Sequence, residues 1–369
     1  MSLFRIGGPL RLAQCVVRTR PQTVLRSNWT RLQRFPQPRY QHNRPPNTRQ
    51  TPGRPATVRS GKQVKPPPIE EDPASQQYAF PSELSSNPRV VVRYFRPAIW
   101  AIVVSGGIFA SLAYLQAKSE LKPKTPSWPA APQWGTTRRT PPSPTELATQ
   151  TWASLNPMSK LSAGIIAANS AVHLSSFVVP AYWQSLWHMP ARNVNYTLFT
   201  SMFVHSGPFH LFVNMYFTYN FMIPVGYSRA FEGNPYQVGA FFLATGVLSG
   251  YAQHLATLIS PQKRAIPEMF IRCGGASGAL LGMLGVFCMQ YPNAGLGIMF
   301  VPVHFDAQYV LPAIMLFDFV GMVRGYSFVN FGHAAHLSGA LLGVAYSTLD
   351  GNNRLWKPLV RFWKQQLQH

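Results

Sequence analysis

The string Gly274-Gly275-Ala276-Ser277-Gly278-Ala279-Leu280-Leu281-Gly282 sets one serine among glycines at the head of an apolar run. A hydroxyl with such small neighbours can be approached closely by another backbone. A second string downstream supplies a partner: His333-Ala334-Ala335-His336-Leu337-Ser338-Gly339-Ala340-Leu341-Leu342-Gly343. Both contain SGALLG. Small residues four apart let transmembrane helices pack backbone to backbone, so the repeat can bring Ser277 against His336. A serine nucleophile and a histidine general base are the minimum kit for acyl transfer.

His210 and Asn214 are four residues apart and therefore share one face of a helix. Together with the backbone N–H of Ser277 they offer donors to a tetrahedral oxyanion. Gly275, Gly278 and Gly339 are the supporting glycines. His205 and His333 read as interfacial histidines, with support of the site from behind as the alternative. Acids are scarce: after Glu146 come only Glu232, Glu268, Asp306, Asp318 and Asp350. Asp318 is the one carboxylate well inside an apolar run, and that run carries none of the other candidates. This favours a Ser–His dyad over a Ser–His–Asp triad. A two-aspartate site lacks its second intramembrane Asp, and the HExxH of a zinc protease is absent, so no metal or cofactor is expected. Cys273 reads as a small apolar residue near a helix start rather than a nucleophile.

These groups need elements to hold them. A bilayer core of about 30 Å takes about 20 apolar residues per helix, and seven such runs occur. The first, about 97 to 117, stands alone. Six follow closely, at about 161 to 179, 207 to 226, 235 to 259, 274 to 291, 308 to 323 and 331 to 349. Residues 180 to 204, with Tyr182, Trp183, Trp187 and Tyr196 among polar neighbours, read as a partly interfacial loop. If the six helices alternate in direction, the second, fourth and sixth enter from one membrane face. His210, Asn214, Ser277 and His336 then lie at one depth.

The formal net charge is +22, unevenly placed. Met1 to Ile69 holds 14 Lys and Arg residues and no acid, the pattern of a mitochondrial transit peptide. A nucleic-acid-binding arm would look similar, but no nucleic-acid module lies beside it and long apolar runs follow, so no nucleic-acid partner is expected. The Pro-, Arg-, Gln- and Asn-rich part from Gln33 to Pro68 is too polar to bury a core and reads as disordered. Of the three cysteines, Cys15, Cys273 and Cys288, the first falls in the transit segment, so no disulfide framework follows.

His210-xxx-Asn214, GASG and AHLSG, in that order along the chain, resemble the rhomboid intramembrane serine proteases. The extra leading helix and transit segment are similar to the mitochondrial inner-membrane subfamily. The resemblance covers about residues 157 to 349. It implies Ser277 as nucleophile, His336 as base and His210 with Asn214 in the oxyanion site. Position 281 holds Leu where many bacterial members carry a Tyr that stacks on the imidazole. The Trp-Arg pair of the first loop is missing too, although Trp187 and Arg192 are nearby.

The expected fold is an all-α membrane protein with a six-helix rhomboid core and one extra N-terminal transmembrane helix. Its parts are a transit and disordered basic segment (1–69), a presegment (70–96), the extra helix (97–117), a Pro-rich linker (118–156), the core (157–349) and a basic C-terminal tail (350–369). Expected partners are the lipid bilayer and single-span transmembrane substrates with helix-weak residues near the cut, because a helical peptide bond must unwind before attack. The resemblance adds a dynamin-like GTPase and a cytochrome c peroxidase precursor, or a kinase import intermediate, as substrates. A transporter and a non-catalytic helix-binding scaffold are the alternatives.

Overall fold

The computed structural model describes residues 90–123, 143–259, 266–297, 303–326 and 331–369. The expected transit segment, and the expected presegment as far as residue 89, lie outside the described residues. All seven apolar runs form helices: α1 (Phe95–Leu121), α2 (Pro157–Val178), α3 (Pro208–Gly226), α4 (Pro235–Ala256), α5 (Ser277–Gln290), α6 (Ala307–Arg324) and α7 (His333–Thr348). Proline stands at the start of α2, α3 and α4, where its fixed φ and missing N–H cost nothing. Asn156 and Asn234 cap the first turns of α2 and α4 with side-chain oxygens.

Among the described residues, three helices, α1, α2 and α6, are long and apolar enough to cross a bilayer by themselves. The central α5 has 14 residues and spans only about 21 Å. It lies inside the bundle, with Ala279, Leu280, Met283, Leu284 and Val286 all buried. Its faces meet α4 and α7 through glycines. A Cβ on Gly339 would overlap the carbonyl of Gly278, and one on Gly343 the carbonyl of Gly282, while one on Gly285 would fall 2.6 Å from the Ala340 carbonyl. These pairs run in the same direction along both helices, so α5 and α7 are parallel and in register through the repeated string. Gly278 and Gly282 also receive Ser249 and Thr245 of the antiparallel α4, at 2.7 and 2.6 Å from an added Cβ.

The extra helix does not stand alone. Ala101, with Val247 of α4 and Leu198, and Ala113 and Ala117, with Ala240 of α4, make two buried clusters. The expected linker contains a helix, Pro144–Ser154, opened by a Ser143–Glu146 capping box. The basic tail is likewise structured. A π-helical turn, Asn352–Trp356, leads into the amphipathic helix α8 (Lys357–Gln368). Trp356 and Val360 of this segment pack on α1. Trp356 Nε1 donates to Gln116 Oε1 at 2.8 Å, and Lys364 pairs with Glu120. A two-stranded hairpin, β1 (Gly295–Gly297) with β2 (His304–Asp306), joins α5 to α6.

Candidate active site

Ser277 is the first residue of α5, whose N-terminus has no side-chain cap. The first N–H groups of a helix have no intrahelical partner, so those of Ser277 and Gly278 are free to bind an anionic oxygen. Gly275 adopts φ +129°, and a Cβ there would lie 2.9 Å from Cε1 of His210. Only glycine combines that backbone with that closeness. Upstream, Cys273 pairs with His188 through two backbone hydrogen bonds of 2.7 and 3.1 Å, which tethers the run into Ser277.

His336 lies in the first turn of α7, and Nε2 is 2.8 Å from Ser277 Oγ. The start of α7 is held from outside. Gln253 of α4 accepts hydrogen bonds from the Ala334 and Ala335 N–H groups at 3.1 and 3.2 Å, which fixes the helix that carries the imidazole. Phe331 contributes a ring 6.0 Å from that of His336. No tyrosine stacks from position 281, because Leu281 stands there.

Asp318 corrects the sequence reading. It was expected to stand apart on its helix, but α6 packs beside α7 and brings the carboxylate to both histidines. Oδ1 is 2.7 Å from Nδ1 of His333 and 3.4 Å from Nδ1 of His336. The first is a hydrogen bond. The second is an ion-pair distance, long for a hydrogen bond. Asp318 is 1 % exposed, and a carboxylate so placed needs partners. His333, expected at the interface, is instead buried against it.

His210 and Asn214 occupy the first two turns of α3. His210 Nδ1 is 3.1 Å from Ser206 Oγ, and Asn214 Nδ2 donates to the His210 carbonyl at 2.8 Å. One N–H of that amide is left. Ser277, His336, His210 and Asn214, with Gly275 and Gly278, line one cavity of about 500 Å³. Gly339 lies behind it, at the α5–α7 crossing. All the expected site residues are thus brought together, within one cavity or directly beneath it.

His205, also expected at the interface, is 0 % exposed, with its ring 5.0 Å from that of His210. Its pKa is pushed down to about 3, first by burial and then by His210. Burial, then Glu268, pushes the Cys273 thiol up to about 12, which disfavours the reactive thiolate. Among the described residues no cluster of His, Cys, Asp and Glu could hold a metal ion.

Sequence reasoning missed a buried histidine pair. His188 Nδ1 is 2.8 Å from Thr197 Oγ1, its Nε2 is 3.0 Å from His254 Nδ1, and His254 Nε2 donates to the Arg93 carbonyl at 2.8 Å. The pair connects the chain entering α1 to the strand before Ser277. The site therefore opens on the face where α1 begins, whereas α8 packs near the other end of α1, by Gln116 and Glu120. The spacing from 188 to 254 carries no local period that would have revealed this.

The fold and site define a polytopic helical membrane protein with a serine and a histidine hydrogen-bonded to each other in the wall of one cavity. Residues 192–353 match the Rhomboid domain family. The mitochondrial presenilin-associated rhomboid-like proteins of Rattus norvegicus and Homo sapiens are 34 % and 33 % identical over 223 residues, 58 % of this chain and 55 % of theirs. Rhomboid protein 1, mitochondrial, of Saccharomyces cerevisiae is 36 % identical over 72 residues, 20 % of each chain. Residues 192–353 are thus similar to a Rhomboid domain, and the relatives that the chain resembles are mitochondrial proteins. The chain spans about half the length of the presenilin-associated relatives it matches.

Proposed function

We propose that this protein is an intramembrane serine endopeptidase of the mitochondrial inner membrane that cleaves the transmembrane segments of single-span proteins. The observation that carries this reading is the 2.8 Å contact between Ser277 Oγ and His336 Nε2 at the edge of the cavity. His336 takes the serine proton as Oγ attacks the scissile carbonyl, then returns a proton to the leaving amine. The free N–H groups at the start of α5, with His210 and the remaining amide N–H of Asn214, receive the oxyanion. Asp318 orients the imidazole and stabilises its charged form. This extends the dyad by a carboxylate that is shared with His333.

A substrate helix must unwind to present its carbonyl, so Gly, Ser and Pro near the cut favour cleavage. The family resemblance supports a dynamin-like GTPase with a cytochrome c peroxidase precursor, or a kinase import intermediate, as substrates. The basic segment from Met1 to Ile69 acts in this reading as a transit peptide. The test is reaction with a fluorophosphonate in detergent. Labelling of wild type and none of Ser277→Ala supports the protease; a folded wild type that stays unlabelled points to a transporter or scaffold.

A further inference from the structure

At the end of α1 away from Ser277, the last turns of α1, the loop before α4 and the start of α8 enclose a second cavity, of about 740 Å³. Most of the polar groups on its wall are satisfied. Gln116 Oε1 accepts from Asn234 Nδ2 at 2.6 Å and from Trp356 Nε1 at 2.8 Å, and Gln116 Nε2 donates to Glu120 Oε1 at 2.7 Å. Both carboxylates on the wall are matched by lysines of α8: Glu232 by Lys357 at 3.0 Å, and Glu120 by Lys364.

Two donors are left over. Asn352 lines the cavity and is 2 % exposed, and its Nδ2 has no hydrogen-bond partner among the described residues. Arg361, on the exposed rim, has neither an ion pair nor a hydrogen bond among the described residues. Buried polar groups are almost always paired, and both unmet groups are donors, so the missing partner is an acceptor. Lys357, Arg361 and Lys364 face only Glu120 and Glu232 across the cavity, so the group that balances the site carries one negative charge. A phosphodiester has that charge, whereas a phosphate monoester carries about 1.5 to 2 at pH 7. The depth fits as well. The 27 residues of α1 measure about 40 Å, the thickness of a bilayer with its headgroup layers, which sets Gln116 and Glu120 at headgroup level. Beside them α8 exposes Phe362 and Leu367, the apolar contacts an interfacial helix makes with acyl chains.

We infer that this cavity binds the phosphodiester of an anionic phospholipid, in the leaflet away from Ser277, with Asn352 Nδ2 donating to one phosphate oxygen and the Arg361 guanidinium pairing with the other. A zwitterionic headgroup fits less well. Its ammonium finds both carboxylates already taken by lysines and restores the excess positive charge that the phosphate removes. The bound lipid ties α8 to the end of α1. None of this depends on the protease reading, because no residue of the Ser277 cavity takes part.

The experiment holds the full-length protein in mixed micelles at constant total lipid while phosphatidylglycerol replaces phosphatidylcholine, and follows the thermal midpoint. The wild-type midpoint is expected to rise and saturate, since a ligand of the folded state stabilises it by mass action. Arg361→Gln is expected to raise the half-saturating mole fraction about tenfold, the scale of one charge-assisted hydrogen bond, and Asn352→Ala to shift it in the same direction. Arg354→Gln removes an exposed charge from the same segment but not from the cavity wall, and is expected to titrate as wild type. A wild-type midpoint indifferent to phosphatidylglycerol overturns the inference, as does an Arg361→Gln protein that titrates like wild type. Equal weakening in Arg354→Gln and Arg361→Gln also overturns it, by showing general attraction to a basic surface. Inorganic phosphate, added without phosphatidylglycerol, is expected to leave the midpoint unchanged; saturable protection by phosphate alone would assign the cavity to a free anion and overturn the lipid. If Asn352→Ala is not recovered folded, the exposed Arg361→Gln carries the test.

Discussion

Asp318 on α6 holds its carboxylate 3.4 Å from Nδ1 of His336, whose opposite nitrogen meets Ser277 Oγ at 2.8 Å. A carboxylate behind an imidazole fixes its tautomer and stabilises the charge it gains in acyl transfer. Asp318→Asn is expected to lower turnover by about a hundredfold, the scale of a general-base contribution, while fluorophosphonate labelling slows with it. If turnover in a folded Asp318→Asn protein matches wild type, the carboxylate serves only to seat His333.

Ser277→Ala and His336→Ala are each expected to abolish cleavage of a single-span substrate while leaving expression and membrane insertion as they are. The readout is product formation in proteoliposomes. Near-normal cleavage by either variant would remove the two residues from the chemistry.

His210 and Asn214 line the cavity beside Ser277. Loss of one oxyanion donor typically lowers turnover about a hundredfold to a thousandfold, and His210→Ala and Asn214→Ala are expected in that range. Variants that shift thermal stability but keep full turnover would make the two residues structural.

The glycines at the α5–α7 crossing leave no room for a side chain. Gly343 faces the Gly282 carbonyl, and a Cβ on Gly282 would lie 2.6 Å from Thr245 Cγ2. Displacing the helices by about an ångström lowers rate about a hundredfold, so Gly282→Leu and Gly343→Leu are both expected to impair cleavage although neither residue is chemical. Steady-state turnover of the purified variants decides. Full activity in both would disprove the close crossing as the element that presents the dyad.

Stability should fall in acid through the buried histidines outside the spans. Burial first, then the charge effects of His254 and Arg192, push the pKa of His188 from 6.5 down to about 3. His205 is lowered to about 3 as well. A lowered folded-state pKa means that the unfolded chain binds more protons between these values. The contribution is complete above about pH 6.5 and is lost as pH falls toward 3. Unfolding midpoints followed from pH 7 to pH 4 are expected to drop, and His188→Asn should flatten the slope. An equal slope in wild type and variant would refute the assignment to His188.

Much of this protein was legible in its sequence because the signals were local. Seven apolar runs became seven helices, since apolar residues in hydrocarbon have no other way to satisfy their backbone. The four-residue spacing from His210 to Asn214 and the twice-used SGALLG string are properties of single helices. They were enough to bring Ser277, His336, His210 and Asn214 to one end of the bundle. What the string could not encode is which helices are neighbours across the bundle. Asp318 meets His336 only because α6 lies beside α7 at one particular register. His188 meets His254 only because the loop after α2 folds over the end of α4. The packing of α1 on α4 and α8, and with it the face on which the site opens, likewise comes from side chains distant in sequence. Such contacts depend on rigid-body placement of whole helices, which no periodicity within a helix records; the tertiary structure alone decided them.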